Sequence, residues 1–248
     1  MKAMILAAGL GTRLGPLTEN RPKALVHIAG RTLLEITLSR LQAVGVREVI
    51  INVHHFADMV VRYLETNDNF GMRIDVSREE TLLDTGGGLK KAASFFLEGS
   101  SGFEEPFILH NVDVMSTIDL RRMMQFHIEN QALATLAVQD REASRYLLFD
   151  EQGQLCGRQP RRGHLPELVR PLLQVQKLAF SGMHVISPRL FARMPEGGAF
   201  SIITSYLQLA GQGEKIQAVR ADEYYWRDLG TPDSVSQATE DLRQKVLL

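Results

Sequence analysis

The chain opens on an apolar run that ends at two glycines, a junction that few folds can use. Met4-Ile5-Leu6-Ala7-Ala8 is continuously apolar rather than alternating, so it reads as a strand buried on both faces of a parallel sheet. In Gly9-Leu10-Gly11-Thr12 the glycines remove the Cβ atoms that would hold a ligand away from the backbone. Bare N–H groups in such a turn form a concavity suited to phosphate oxygens. Arg13 adds a planar, permanently charged fork, and Pro22-Lys23 sets an ammonium after a rigid bend. Turn, guanidinium and ammonium together describe a cradle for a nucleoside triphosphate.

Two familiar phosphate motifs do not fit. A P-loop ends in Gly-Lys-Ser/Thr, whereas Gly11 is followed by Thr12-Arg13-Leu14. The dinucleotide fingerprint needs a third glycine where this chain has Leu14. Charge narrows the partners further. With 28 basic and 29 acidic residues the net charge is −1, which disfavours a broad nucleic-acid footprint but leaves room for a basic pocket. Cys156 is the one cysteine, so no intrachain disulfide forms and a reducing compartment is expected. Met1-Lys2-Ala3 leads straight into the strand without signal-peptide architecture, and no apolar run reaches the roughly 20 residues of a spanning helix. A cytoplasmic protein without membrane partners is the expectation.

The rest of the chain alternates strand with helix. Leu33, Leu34, Ile36, Leu38, Leu41 and Val44 recur at helical spacing before Gly45, and Glu48–Val53 reads as a second buried strand. A helix over Ala57–Thr66, a strand over Met72–Arg78, a helix over Leu89–Leu97 and a strand at Phe107–His110 follow. Beyond them come a helix over Asp119–Asn130 capped by Ser116 or Thr117, and a strand over Ala132–Gln139. A hairpin spans Tyr146–Gly157 and a strand Lys177–Pro188, with two short helices around Pro188–Met194 and Ser201–Ala210. Thr231 caps a last helix that starts at Pro232 and packs through Val235, Ala238, Leu242 and Val246. This is the pattern of an α/β, Rossmann-like three-layer sandwich around a mostly parallel, mixed sheet, in which ligands collect at the carboxyl ends of the strands.

Several side chains stand just after those strands. His54 and His55 have no third ligand at metal spacing and read as polar strand-end residues. Asp84-Thr85-Gly86-Gly87-Gly88, ahead of the third helix, reads either as a flexible helix-start turn or as a close backbone approach to something flat or charged. Asp113, in Asn111-Val112-Asp113, leaves a buried strand, where a carboxylate needs a pair, hydrogen bonds or a cation; a turn aspartate is the alternative. Ser181-Gly182 puts small residues inside an apolar strand. Arg158, Arg161, Arg162 and Arg170 form a basic insert, read as a solvated loop, with reach to an anionic sugar phosphate as the alternative. Since Thr231 takes the cap, Asp228 is left free.

Taken in order, Gly9-x-Gly11-Thr12-Arg13-Leu14, Pro22-Lys23, Thr85-Gly86-Gly87-Gly88, Asn111-x-Asp113, Ser181-Gly182 and Asp228-x-Gly230-Thr231-Pro232 resemble the sugar-1-phosphate nucleotidyltransferase family. The resemblance runs from Met1 to about Leu242 and is weakest from Asp140 to Val175. It implies the nucleotide-diphospho-sugar transferase type of fold as a single domain over 1–248. Residues 1–139 would form a nucleotide-binding half, 140–232 a sugar-binding half and 233–248 a C-terminal helix. It assigns Ala8, Gly9, Gly11, Thr12, Arg13, Lys23, Glu79, Asp84, Gly86 and Asn111 to the nucleotide, with Glu79 accepting a base N–H. Ser181 and Gly182 would lie by the sugar, and Asp113 and Asp228 would hold Mg²⁺. Arg13, Lys23 and Asp113 would be catalytic. Val112 departs from the family's glycine and implies a stiffer backbone there. The implied reaction joins a nucleoside triphosphate to a sugar 1-phosphate with loss of pyrophosphate. The chain looks most like members acting on UTP and N-acetylmuramate 1-phosphate, with mannose- or heptose-1-phosphate guanylyltransferases as the alternative. A non-catalytic nucleotide-sugar sensor is the reading of a different class. Oligomeric state is not legible.

Overall fold

Strand Lys2–Leu6 lies at the centre of the architecture, hydrogen-bonded in parallel to Glu48–Val53 on one side and to Phe107–Asn111 on the other. The computed structural model describes residues 1–98, 105–160, 164–171 and 174–244, and all that follows concerns these. Arg73–Arg78 extends the parallel part at one edge. On the other side Phe107–Asn111 pairs antiparallel with the long strand Gln176–Ile186, which then serves two further partners. Its residues 179–186 pair with Ala134–Gln139, and its first residues, Gln176 to Leu178, pair with Tyr146–Phe149. The hairpin continues through Leu155–Gln159 to Glu167–Leu168, giving a mixed sheet of ten strands among the described residues.

Both faces of this sheet are covered, as the unbroken apolar runs require. Ala3, Ile5 and Ile108 point into one core with Leu34, Leu38 and Val60, while Met4, Phe107 and Leu109 point into the other with Phe96, Tyr206 and Leu209. Helix Leu33–Ala43 starts where the Thr32 hydroxyl accepts the Glu35 N–H at 3.0 Å, and Gly45 follows it with φ +95°. Helix Ala57–Thr66 keeps the predicted bounds. Thr231 caps Pro232–Arg243 in a reciprocal box with Ser234, and Val235 and Ala238 are buried beneath it. Val246 lies outside the described residues, as do Arg161 and Arg162 of the basic insert. No helix among the described residues is long and apolar enough to cross a membrane.

Four elements differ from expectation. Helix Leu120–Asn130 is capped by Asp119, whose carboxylate accepts from Arg121 and Arg122 N–H. Ser116 and Thr117 are occupied elsewhere: Ser116 ends a strand paired with Trp226, and Thr117 exchanges hydrogen bonds with Tyr225. The glycine triplet is inside helix Asp84–Lys91 rather than before it. A Cβ on Gly86 would strike Phe200, and one on Gly87 would strike the Gly198 carbonyl, so these glycines exist for a close helix contact. Strand Ile216–Arg220, parallel to Ala134–Gln139, was not foreseen from so short and mixed a run. Part of the basic insert is ordered as the edge strand Glu167–Leu168, and there Arg158 pairs with Glu167 at 2.7 Å.

Three histidines are folded into this core. Burial holds His110 and His184 down to about 3 and His127 to about 4, with the cations Arg40 and Arg189 adding to the effect on His110 and His127. All three are therefore neutral in the fold and protonate only on unfolding below their ordinary value of 6.5. The stability they lend is complete above pH 6.5 and falls away as the pH drops toward the folded values. His127→Gln should flatten the acid limb between pH 6.5 and about 4, by up to ~1.4 kcal/mol per pH unit, in urea titrations. An unchanged slope would show that His127 charges inside the fold.

Candidate active site

The first strand leaves the sheet at Ala7, whose N–H is taken by the Asn52 side-chain oxygen at 2.8 Å. The Asn52 amide then donates to Glu79 at 2.7 Å, and the second Glu79 oxygen accepts the Leu83 N–H at 3.0 Å. This buried chain ties the ends of three strands to the entry of helix Asp84–Lys91. Beyond it, Ala8, Gly9 and Leu10 make no hydrogen bond with any described residue, so their N–H groups stay open. Gly11 turns the chain with φ +68°, and the Thr18 hydroxyl donates to its carbonyl at 3.0 Å. A Cβ there would press on Thr18 and Lys23, so glycine is required twice over.

These segments wall a cavity of about 520 Å³ at the carboxyl edge of the parallel strands. Its lining brings together Ala8, Gly9, Gly11, Thr12, Arg13 and Lys23 with Glu79, Asp84, Asn111 and Asp113. Lys23 is almost fully buried and forms a close ion pair with Asp113. Losing one member of such a pair strands the other charge in a poorly hydrated place. Asp113 is held in turn: its carbonyl accepts the Leu229 N–H at 2.8 Å, and Val114–Ser116 pairs antiparallel with Trp226–Asp228. That ladder sets Asp228 opposite Val114, beside Asp113. Asp228 accepts from Gly230 N–H at 2.9 Å and lies 3.9 Å from the Arg13 guanidinium. A Cβ on Gly230 would collide with both Arg13 and Asp228. Arg40 braces the same segment from below, donating to Ser116 at 3.0 Å and to the Ile118 carbonyl at 2.9 Å; burial pulls it down to about 10.

Other predicted site residues stand apart from the lining. Gly86 donates its N–H to the Phe200 carbonyl at 2.9 Å. Ser181 is fully buried, and its hydroxyl finds no partner among the described residues. Gly182 has φ +75° in the bulge of the long strand and abuts Asn111 and Val114. Glu79 lines the cavity, yet each of its oxygens already accepts from Asn52 or Leu83. Val112, where the family pattern has glycine, carries no positive φ and donates to the Leu6 carbonyl at 3.1 Å, so the valine is unstrained. His54 contacts the Glu79 carbonyl at 2.8 Å. Sequence reasoning missed Asn52 and Leu82, both on the lining, where Thr85 and Gly230 of the quoted motifs also lie. A lone asparagine inside Ile50-Ile51-Asn52-Val53 was the available signal for Asn52.

Beside the amide cradle stand two carboxylates, Asp113 in the turn before Val114–Ser116 and Asp228 at the end of Trp226–Asp228, and similarity to known proteins makes the chain a sugar-1-phosphate nucleotidyltransferase. The chain belongs to the nucleotidyl transferase family, whose model matches residues 2–245. It is 32% identical to N-acetylmuramate alpha-1-phosphate uridylyltransferase of Caulobacter vibrioides, over 94% of this chain and 93% of that relative. It is 28% identical to a mannose-1-phosphate guanylyltransferase of Mycobacterium tuberculosis, over 97% of this chain but 64% of that longer protein. Among solved structures, HddC from Yersinia pseudotuberculosis complexed with GMP-PN shares the fold with a TM-score of 0.76 at 21% identity, covering 97% of this chain and 99% of that one.

Asn52→Ala orphans the Ala7 N–H and one Glu79 oxygen together. Each stranded group should cost about 1–3 kcal/mol, read as a lower urea midpoint. A midpoint equal to that of the unchanged protein would remove Asn52 from the support of the cradle.

Proposed function

We propose that the protein transfers a uridylyl group from UTP to N-acetylmuramate 1-phosphate, releasing pyrophosphate, with Mg²⁺ as the metal. The observation that carries this reading is the pair of residues with unbonded N–H groups, Ala8 and Gly9, on the wall of one cavity with Lys23, Asp113 and Arg13. The choice of substrates is supported by the Caulobacter relative, which matches this chain over nearly the whole length of both.

In this mechanism an oxygen of the sugar 1-phosphate attacks the α-phosphorus of the triphosphate. That nucleophile is ionised at neutral pH, so catalysis is positioning and charge neutralisation rather than proton abstraction. The Ala8–Thr12 backbone and Arg13 hold the β- and γ-phosphates, which depart as pyrophosphate. Lys23 exchanges Asp113 for phosphate oxygens, bridging the α-phosphate and the incoming phosphate. Asp113, in the turn before Val114–Ser116, and Asp228, on the strand paired with it, would offer hard oxygen donors, a set suited to an ion that takes one or two carboxylates and completes its shell with phosphate and water. When bound, that ion supplies positive charge to the α-phosphate oxygens.

Pyrophosphate release is the direct test, pairing UTP, GTP, dTTP and CTP with the 1-phosphates of N-acetylmuramate, N-acetylglucosamine, glucose, mannose and heptose. UTP with N-acetylmuramate 1-phosphate should give the highest kcat/KM. Preference for GTP with mannose or heptose 1-phosphate would replace these substrates, and silence from folded, triphosphate-binding protein would favour a sensor. Asp113→Asn should abolish turnover with the fold retained by circular dichroism but a lower urea midpoint, since Lys23 loses its partner; full activity would remove the metal assignment. Arg13→Ala should lower kcat/KM by the equivalent of about 2–4 kcal/mol, as loss of one preorganised donor does.

A further inference from the structure

A second cavity, of about 640 Å³, opens between the loop that leaves Ala134–Gln139 and the hairpin, and Arg141 is on its wall with Lys177, Tyr146 and Gln159. Asp140 and Glu142 also face it, so its cations are not a bare basic patch. Arg141 is the residue that the strand topology singles out. Its guanidinium carbon sits 3.5 Å from the centre of the Trp226 ring, and one terminal nitrogen donates to the Phe180 carbonyl at 2.9 Å. Trp226 is itself pinned, its ring N–H donating to the Ser181 carbonyl at 2.8 Å. The cation is therefore clamped between the bulge of the long strand and the short strand that ends in Asp228.

Its donors are mostly unused. An arginine carries five N–H groups, and the Nε of Arg141 is buried with no acceptor among the described residues. A buried donor left open in this way is unfavourable unless a ligand satisfies it. Burial lowers the Arg141 pKa and the Asp228 carboxylate raises it, so the two charges sense one another. Arg13 approaches Asp228 from the cradle that holds the leaving group, whereas Arg141 belongs to the other cavity. In-line displacement at phosphorus brings the nucleophile in opposite the leaving group.

We propose that Arg141 binds the phosphate of the incoming sugar 1-phosphate and orients its oxygen toward the α-phosphorus. The inference rests on the nucleotidyl-transfer reading above, and it adds a substrate-positioning residue to it. A planar fork stacked on an indole suits a phosphate better than a flexible ammonium does, which makes the lysine variant informative.

The experiment compares the unchanged protein with Arg141→Met and Arg141→Lys, varying UTP and N-acetylmuramate 1-phosphate separately. Arg141→Met should raise KM for the sugar phosphate tenfold or more while KM for UTP stays within twofold, and Arg141→Lys should recover part of the loss. Equal rises in both KM values, or none, would overturn the proposal, since a packing role against Trp226 has no reason to choose one substrate. Calorimetric titration of N-acetylmuramate 1-phosphate, with glucose 1-phosphate as a second probe, separates this from the activity itself. No pyrophosphate release by the unchanged protein would sink the functional reading. Sugar-phosphate binding by the unchanged protein and its loss in Arg141→Met would still uphold the inference. Equal binding by both, or binding by neither, would overturn it.

Discussion

The site begins where a backbone N–H stops being served by the sheet. At Ala7 the ladder partner is replaced by a side chain, Asn52, and from that point the main chain is free to curve away with its next amides open. The substitution is local, but three strands depend on it. Asn52 passes its own amide to Glu79, and Glu79 fixes Leu83 at the start of the glycine-bearing helix. Remove the asparagine and the cradle, the floor of the cavity and the helix entry lose their common support. Backbone groups inside a protein must be paired; here one polar side chain meets that demand at the point where pairing has to end.

Charge around the cavity is arranged in alternation. Lys23 faces Asp113, Asp113 lies beside Asp228 across a two-stranded ladder, and Asp228 senses Arg13 and Arg141. These charged groups are thus held in internal balance. An isolated buried charge would carry a severe desolvation penalty, and each of these groups instead has an opposite charge within reach.

Much of this was legible in the sequence because it is contiguous. The run from Gly9 to Lys23 carries turn, guanidinium and ammonium within one segment, and its family pattern is read directly from the order of residues. Strand and helix alternation followed from hydrophobic periodicity, and Thr231-Pro232 marked its helix by local capping chemistry. What escaped was non-local. Asn52 matters through Ala7 and Glu79, and Arg141 through Trp226 and Phe180, neighbours supplied by strands distant in the chain. Gly86 and Gly87 have the composition of a ligand-facing turn, yet their conformation is helical and their open side meets Phe200 and Gly198. The same lack of a Cβ serves a ligand or a neighbouring backbone, and only the fold tells which.

The long strand Gln176–Ile186 is shared unequally: its last residues are stitched to the central strands, while its first three carry the outer hairpin. The hairpin strands beyond it, Tyr146–Phe149, Leu155–Gln159 and Glu167–Leu168, lie at the margin of the sheet, and their turn is tied back to Ile216–Arg220 where the Gly153 carbonyl accepts the Ala218 N–H at 2.8 Å. None of these three strands pairs with Lys2–Leu6 or with its two neighbours. A change of length at that margin therefore need not disturb the register that sets Gly9–Thr12 beyond the end of Lys2–Leu6.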